Sequence, residues 1–113
     1  MRCPQAISNA LRLLLVGWSK TLSREVVKDG IAANVVLPGR IATDRIRFLD
    51  EAKAKRDYKS IGAVVAESTA SIPVGRYGNP IEYGAVVTFL ASERASDVTG
   101  SIIRVDGGLI ASI

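Results

Sequence analysis

The chain has no histidine. That removes the commonest metal ligand and the commonest general base, so no metal site is expected. It has one cysteine, Cys3, which excludes an intrachain disulfide and fits an intracellular compartment. Aromatic residues make up 5 % of the sequence, and none interleaves with a basic stripe in the manner of a single-strand nucleic-acid binder. No apolar run is long enough to cross a membrane, because Leu11–Trp18 is short and Arg12 interrupts it. Leu13–Val16 is too brief for the apolar part of a signal peptide, and Lys20, Arg24 and Glu25 follow close behind. The chain is therefore read as soluble, unprocessed and cytoplasmic, with no membrane partner. Repeats, low-complexity tracts and interdomain linkers are also missing.

Charge excludes less. Fifteen basic and eleven acidic residues give +4, and the pI is about 9.6. A basic pI raises nucleic-acid binding, which would be strongly salt-dependent. The basic residues are scattered, however. Their main concentration, Lys53, Lys55, Arg56 and Lys59, is interleaved with Asp50, Glu51 and Asp57. That pattern is a solvated helix face, and no nucleic-acid partner is expected.

What is present is a globular composition. Apolar residues account for 48 % of 113, enough to pack the core of one small domain spanning 1–113. Over 5–28, Leu11, Leu14, Leu15, Trp18, Leu22 and Val26 recur at three- and four-residue steps and predict a long helix. Pro4 suits its start, and Gly30 suits a left-handed C-terminal cap. Residues 31–37, IAANVVL, predict a buried parallel strand stopped by Pro38-Gly39. Thr43 and Asp44 cap a charged, exposed helix over 44–57, and a small-apolar helix is expected within 60–71. PVGRYGNP, 73–80, is a loop. Pro80 and Glu82 open a helix over 81–91, with Ala85, Val86, Phe89 and Leu90 as its buried face. Ser101–Val105 is a second short strand closed by Asp106-Gly107-Gly108.

The order helix, strand, helix, helix, strand implies a βαβ crossover and parallel pairing, hence an α/β fold. Two strands alone do not make a stable sheet. A strand edge and one face of the long helix are expected to be covered from outside, which predicts a homodimer or tetramer formed through the 5–28 helix and the 101–105 edge strand.

Three segments in order carry a family resemblance: GIAANVVLPGRIAT at 30–43, IPVGRYGNPIEYGAVVTFLAS at 72–92 and VTGSIIRVDGGL at 98–109. Together they resemble the C-terminal part of the short-chain dehydrogenase/reductase family, especially members similar to 3-oxoacyl-acyl-carrier-protein reductases. The resemblance implies part of a Rossmann-like doubly wound parallel sheet lacking its N-terminal dinucleotide-binding half, which another polypeptide segment would supply. It implies NAD or NADP as cofactor. It assigns the nicotinamide end to the strand-and-turn pattern of Asn34, Val36, Pro38, Gly39 and Thr43. Ligands in such sheets bind at the carboxyl ends of strands. Pro38-Gly39 turns the backbone beneath a flat ring, the Ile41 backbone pairs with a carboxamide, and the Thr43 hydroxyl reaches the carboxamide or a phosphate. In the family the 44–71 region is the substrate lid, and the last strand commonly meets its counterpart in another subunit.

Two departures follow. The glycine loop G-x-x-x-G-x-G occurs nowhere in the sequence. That loop binds phosphates at a helix N-terminus, so weak or absent cofactor binding is expected of this chain alone. The family's catalytic Y-x-x-x-K motif aligns with SNALR, placing Ser8 and Arg12 at the catalytic positions. A serine hydroxyl is far less acidic than a phenol with its pKa of about 10 and is a poor acid–base at neutral pH. Arg12 keeps the positive charge as a rigid fork. Ser8 and Arg12 are either an unusual catalytic pair or ordinary helix surface residues. No tyrosine stands four residues before a lysine, and Tyr58 reads as a surface residue. By resemblance the chain is part of an oxidoreductase that moves a hydride between NAD(P) and a carbonyl or alcohol. The alternative is a non-catalytic oligomer that serves assembly or binding.

Overall fold

A computed structural model describes residues 4–112, arranged as α1 (Pro4–Val26), β1 (Val35–Pro38), α2 (Asp44–Asp57), α3 (Ile61–Ala70), α4 (Pro80–Leu90) and β2 (Ile102–Val105). The two strands pair in parallel. Their register rises together: Gly100 N–H donates to Ala33 O, Val35 N–H to Ser101 O and Gly39 N–H to Val105 O. The predicted element order and α/β class therefore hold. The described residues cluster into two compact units, one made of residues up to 36 with 88–103, the other of 37–87 with the chain from 104 onward.

In the first unit, α1 runs to Val26 and tightens into a 3-10 turn over Val27–Asp29. Gly30, at φ 75°, ends it in the left-handed conformation. Lys20 Nζ donates to Gly100 O at 2.9 Å. Ser23, buried next to Gly100, donates to Lys20 O at 2.8 Å. The expected strand over 31–37 is shorter than predicted at its start. Asn34 is the reason: its amide Nδ2 donates to Val98 O at 2.7 Å, and its Oδ1 accepts from Ser101 N–H at 3.1 Å. A side chain thus takes the place of ladder bonds before β1 begins. Ala33 N–H donates to Thr99 Oγ1 at 3.1 Å in the same segment. Along α1, Leu14 is 70 % exposed and Trp18 60 % exposed, with Ile7 and Leu11 also exposed, whereas Leu22 and Val26 are half-buried.

In the second unit, α2 is capped by Thr43, whose hydroxyl accepts from Ile46 N–H, and α3 by Ser60, whose hydroxyl accepts from Ala63 N–H. Between them Tyr58 ends α2 at φ 53°, 98 % exposed. Ala54, Val64 and Ile72 form the apolar core of this unit, and α2 packs against α3. Glu67 of α3 pairs with both Lys53 and Lys59. As expected, α2 is exposed along most of its length, and Asp50 and Ala54 are its buried residues. The predicted buried face of α4 needs correction: no residue of α4 is buried, and Ala85 and Phe89 are exposed. This helix is apolar on every side, so its hydrophobicity singles out no one face.

Candidate cofactor-binding turn

The backbone leaves β1 at Pro38 and makes a turn that Gly39 alone permits. A Cβ on Gly39 would lie 2.6 Å from the Asp106 Cα, a backbone atom that cannot step aside. Asp106 is held in turn: its carboxylate accepts from Gly108 N–H at 2.9 Å and Ile110 N–H at 3.2 Å. Gly107 and Gly108 take φ 64° and 83°, which a side chain would strain. Val74 N–H donates to Gly107 O at 3.2 Å and ties the next loop to this turn.

Beyond Gly39 the chain forms an isolated parallel bridge between Ile41 and Gly78. Gly78 N–H donates to Arg40 O, and Ala42 N–H donates to Gly78 O, each at 2.8 Å. Such a bridge uses the groups flanking Ile41 and leaves Ile41's own N–H and C=O turned to the opposite edge. Among the described residues no hydrogen bond engages either group. A donor and an acceptor side by side on one edge complement a primary carboxamide, which carries one of each. Thr43 is exposed; its oxygen accepts the weak α2 cap at 3.5 Å, and its proton stays available to a ligand.

The loop preceding α4 is a reciprocal cap. Asn79 Oδ1 accepts from Ile81 N–H at 2.9 Å, and the Glu82 carboxylate accepts from Asn79 N–H at 2.7 Å. Arg76 grips the same carboxylate with two bonds, 2.9 and 2.7 Å. The Arg76 bonds first, and the Asn79 N–H second, lower the Glu82 pKa to about 2. Glu82 in the first turn was legible in the sequence; the Arg76 clamp was not.

The four expected cofactor residues, Pro38, Gly39, Ile41 and Thr43, thus share one turn. Ser8 and Arg12 belong to the other unit. They stand one helical turn apart on α1, Ser8 half-buried and Arg12 exposed, and among the described residues the side chain of neither makes a hydrogen bond or ion pair. Cys3 lies outside the described residues. Among the described residues no acidic, cysteine or histidine cluster could hold a metal ion, and no helix is long and apolar enough to cross a membrane.

A family model described as enoyl-(acyl carrier protein) reductase matches residues 4–110. The chain belongs to the short-chain dehydrogenase/reductase family. It is 40 % identical to the 3-oxoacyl-acyl-carrier-protein reductase FabG of Salmonella typhimurium over 105 residues, which cover 93 % of this chain and 38 % of that protein. The corresponding reductase MabA of Mycobacterium tuberculosis is 39 % identical with the same coverage. Among solved structures, the NADPH-dependent reductase YwfH involved in bacilysin biosynthesis superposes with a TM-score of 0.83 at 36 % identity, over 89 % of this chain and 38 % of that one. The L-sorbose reductase of Gluconobacter frateurii, solved with NADPH and L-sorbose, gives 0.85 at 31 % identity, over 93 % and 40 %. The chain therefore spans less than half the length of the relatives it matches. The part that it shares with them includes β1 and the turn after it.

Sequence reasoning missed one polar cluster beside this turn. Tyr77 Oη donates to the buried Asp50 Oδ2 at 2.7 Å, and Arg40 Nη1 donates to the buried Ser68 Oγ at 3.2 Å. Burial first, and then the Asp50 carboxylate, raise the Tyr77 pKa, while Ser68 and the Arg40 charge oppose the rise. The only sequence signal was an aspartate placed among the α2 residues that face α3.

Proposed function

We propose that this chain is the C-terminal part of an NAD(P)-dependent oxidoreductase that interconverts a carbonyl and an alcohol. The single observation that carries the reading is the Ile41 edge, an unpaired N–H and C=O at the end of a parallel strand in a family member. Bound there, a nicotinamide cofactor would supply or accept the hydride. The chain's own part is orientation. Ile41 would hold the carboxamide with one donor and one acceptor, Thr43 would add a hydroxyl proton, and Gly39 lets the backbone make the turn that presents them. Ser8, with its weakly acidic hydroxyl, is a poor substitute for a phenol in proton transfer. With no glycine loop in its sequence, the chain alone is expected to bind cofactor weakly and to turn over little or nothing.

The test is a titration of isotope-labelled chain with NADPH and NADH, followed by amide NMR. Shifts confined to 39–43 support the reading, and an unresponsive turn at saturating cofactor would overturn it. Turnover of a carbonyl panel by the pure chain would overturn the expected inactivity.

A second reading is a non-catalytic assembly module, favoured by the exposed apolar side chains of α1, Ile7, Leu11, Leu14 and Trp18. It expects a dimer or tetramer through α1 and the β2 edge. A monomer by light scattering at micromolar concentration would contradict it.

A further inference from the structure

We infer that Asp50 and Tyr77, with Ser68 and Arg40, are positioning residues that hold the 39–43 turn in its ligand-ready geometry. The functional meaning rests on reading that turn as the nicotinamide site; the coupling itself does not.

Asp50 and Ser68 are each only 5 % exposed, among the most buried residues of the second unit. A buried carboxylate is costly unless something compensates it. Asp50 makes no ion pair among the described residues, and its compensation is the Tyr77 hydroxyl. Tyr77 immediately precedes Gly78, whose backbone makes both bonds of the bridge to Ile41. Arg40 immediately precedes Ile41 on the other side of that bridge and reaches Ser68 of α3. Asp50 stands two helical turns along α2 from Thr43, the residue that caps the helix. The connections therefore close a ring: Thr43 along α2 to Asp50, across to Tyr77, through Gly78 to Arg40, Ile41 and Ala42, and back to Thr43. A cavity of about 290 Å³ is lined by Thr43, Asp50 and Tyr77 together, so the pair also shapes the space beside the turn. A ring closed by one hydroxyl–carboxylate bond gives the turn a single register, because slipping Ile41 against Gly78 would break that bond.

The experiment is amide hydrogen exchange on the full chain, comparing segment 41–49 with 84–91. The variants are Tyr77→Phe, Asp50→Leu, Asp50→Asn and Tyr77→Phe combined with Asp50→Leu. Tyr77→Phe and Asp50→Leu should each speed exchange in 41–49 by about tenfold and leave 84–91 unchanged. Asp50→Asn, which still accepts a hydroxyl proton, should restore most of the protection. The double variant should be no faster than the faster single one, since both remove the same bond. A Tyr77→Phe variant indistinguishable from the parent would overturn the proposal, and so would equal acceleration in both segments. If Asp50→Leu does not fold, Tyr77→Phe and Asp50→Asn still decide the matter. In the cofactor titration, Tyr77→Phe should abolish the confined response of the Ile41 amide. A response kept intact despite faster exchange would sink the positioning role while leaving the nicotinamide reading standing. A parent turn that ignores cofactor would sink that reading, and the exchange coupling would still judge the ring.

Discussion

Helices α1 and α2 look reversed relative to their sequences. The apolar α1 leaves Leu14 and Trp18 largely in water and buries a serine, Ser23. The charged α2 buries an aspartate and an alanine and caps itself with the residue expected to meet a ligand. An apolar stripe records what a helix could cover. A buried aspartate records what the surrounding chain already satisfies. The first unit thus carries its unspent chemistry on a surface, and the second carries its chemistry in a turn braced on several sides.

The comparison breaks most severely at Gly39. Gly39→Ala forces a Cβ to within 2.6 Å of the Asp106 backbone, so we expect a loss near the upper end of the overpacking range, about 3 kcal/mol. Urea unfolding would read it, and an unchanged midpoint would mean the turn is not braced. Opposite in sign is Tyr58→Gly. Tyr58 holds φ 53° with its side chain in solvent, so relief of the left-handed strain, less the added chain entropy of glycine, should stabilise by about 0.5–1 kcal/mol. A lower melting temperature would refute that account. Leu14→Gln on α1 should change monomer stability by less than about 0.5 kcal/mol, because the side chain is 70 % exposed. The same change should weaken any self-association seen by sedimentation, and a large loss of monomer stability would mean that α1 is packed after all.

The smallest effect is at Glu82. Its pKa falls from 4.5 to about 2 in the folded chain, so its carboxylate favours the folded state above its unfolded value. That contribution is complete above about pH 4.5 and disappears as pH falls through about 2. The sign is that of acid destabilisation, and Arg76→Gln should remove most of the depression because the Arg76 bonds are its main cause. Carbon-detected NMR titration of the Glu82 carboxyl gives the answer; a midpoint in the ordinary glutamate range in the parent would dismiss the clamp.

Much of this was legible beforehand because it is local. The α2 bounds follow from Thr43 and the charged run, the α1 stop from Gly30, and the α4 start from Pro80 and Glu82. The family segments gave the turn and its four residues. Where the reading failed, a distant partner had changed the local preference: Asn34 delayed β1 by bonding to Val98 and Ser101, and α4 offered no preferred face. Tyr58 in the left-handed region gave no warning, since glycine is the residue that normally announces that conformation.

The sequence by itself determined the family, through three segments in order, and the element order with the Thr43 and Gly30 caps, which rest on neighbours within a few positions. Only the tertiary structure decided that Gly39 lies against Asp106, that Ile41 keeps an unpaired edge, and that Asp50 meets Tyr77 across 27 positions. Periodicity and caps report on energies between near neighbours, whereas those three facts depend on the path by which distant segments arrive at one place.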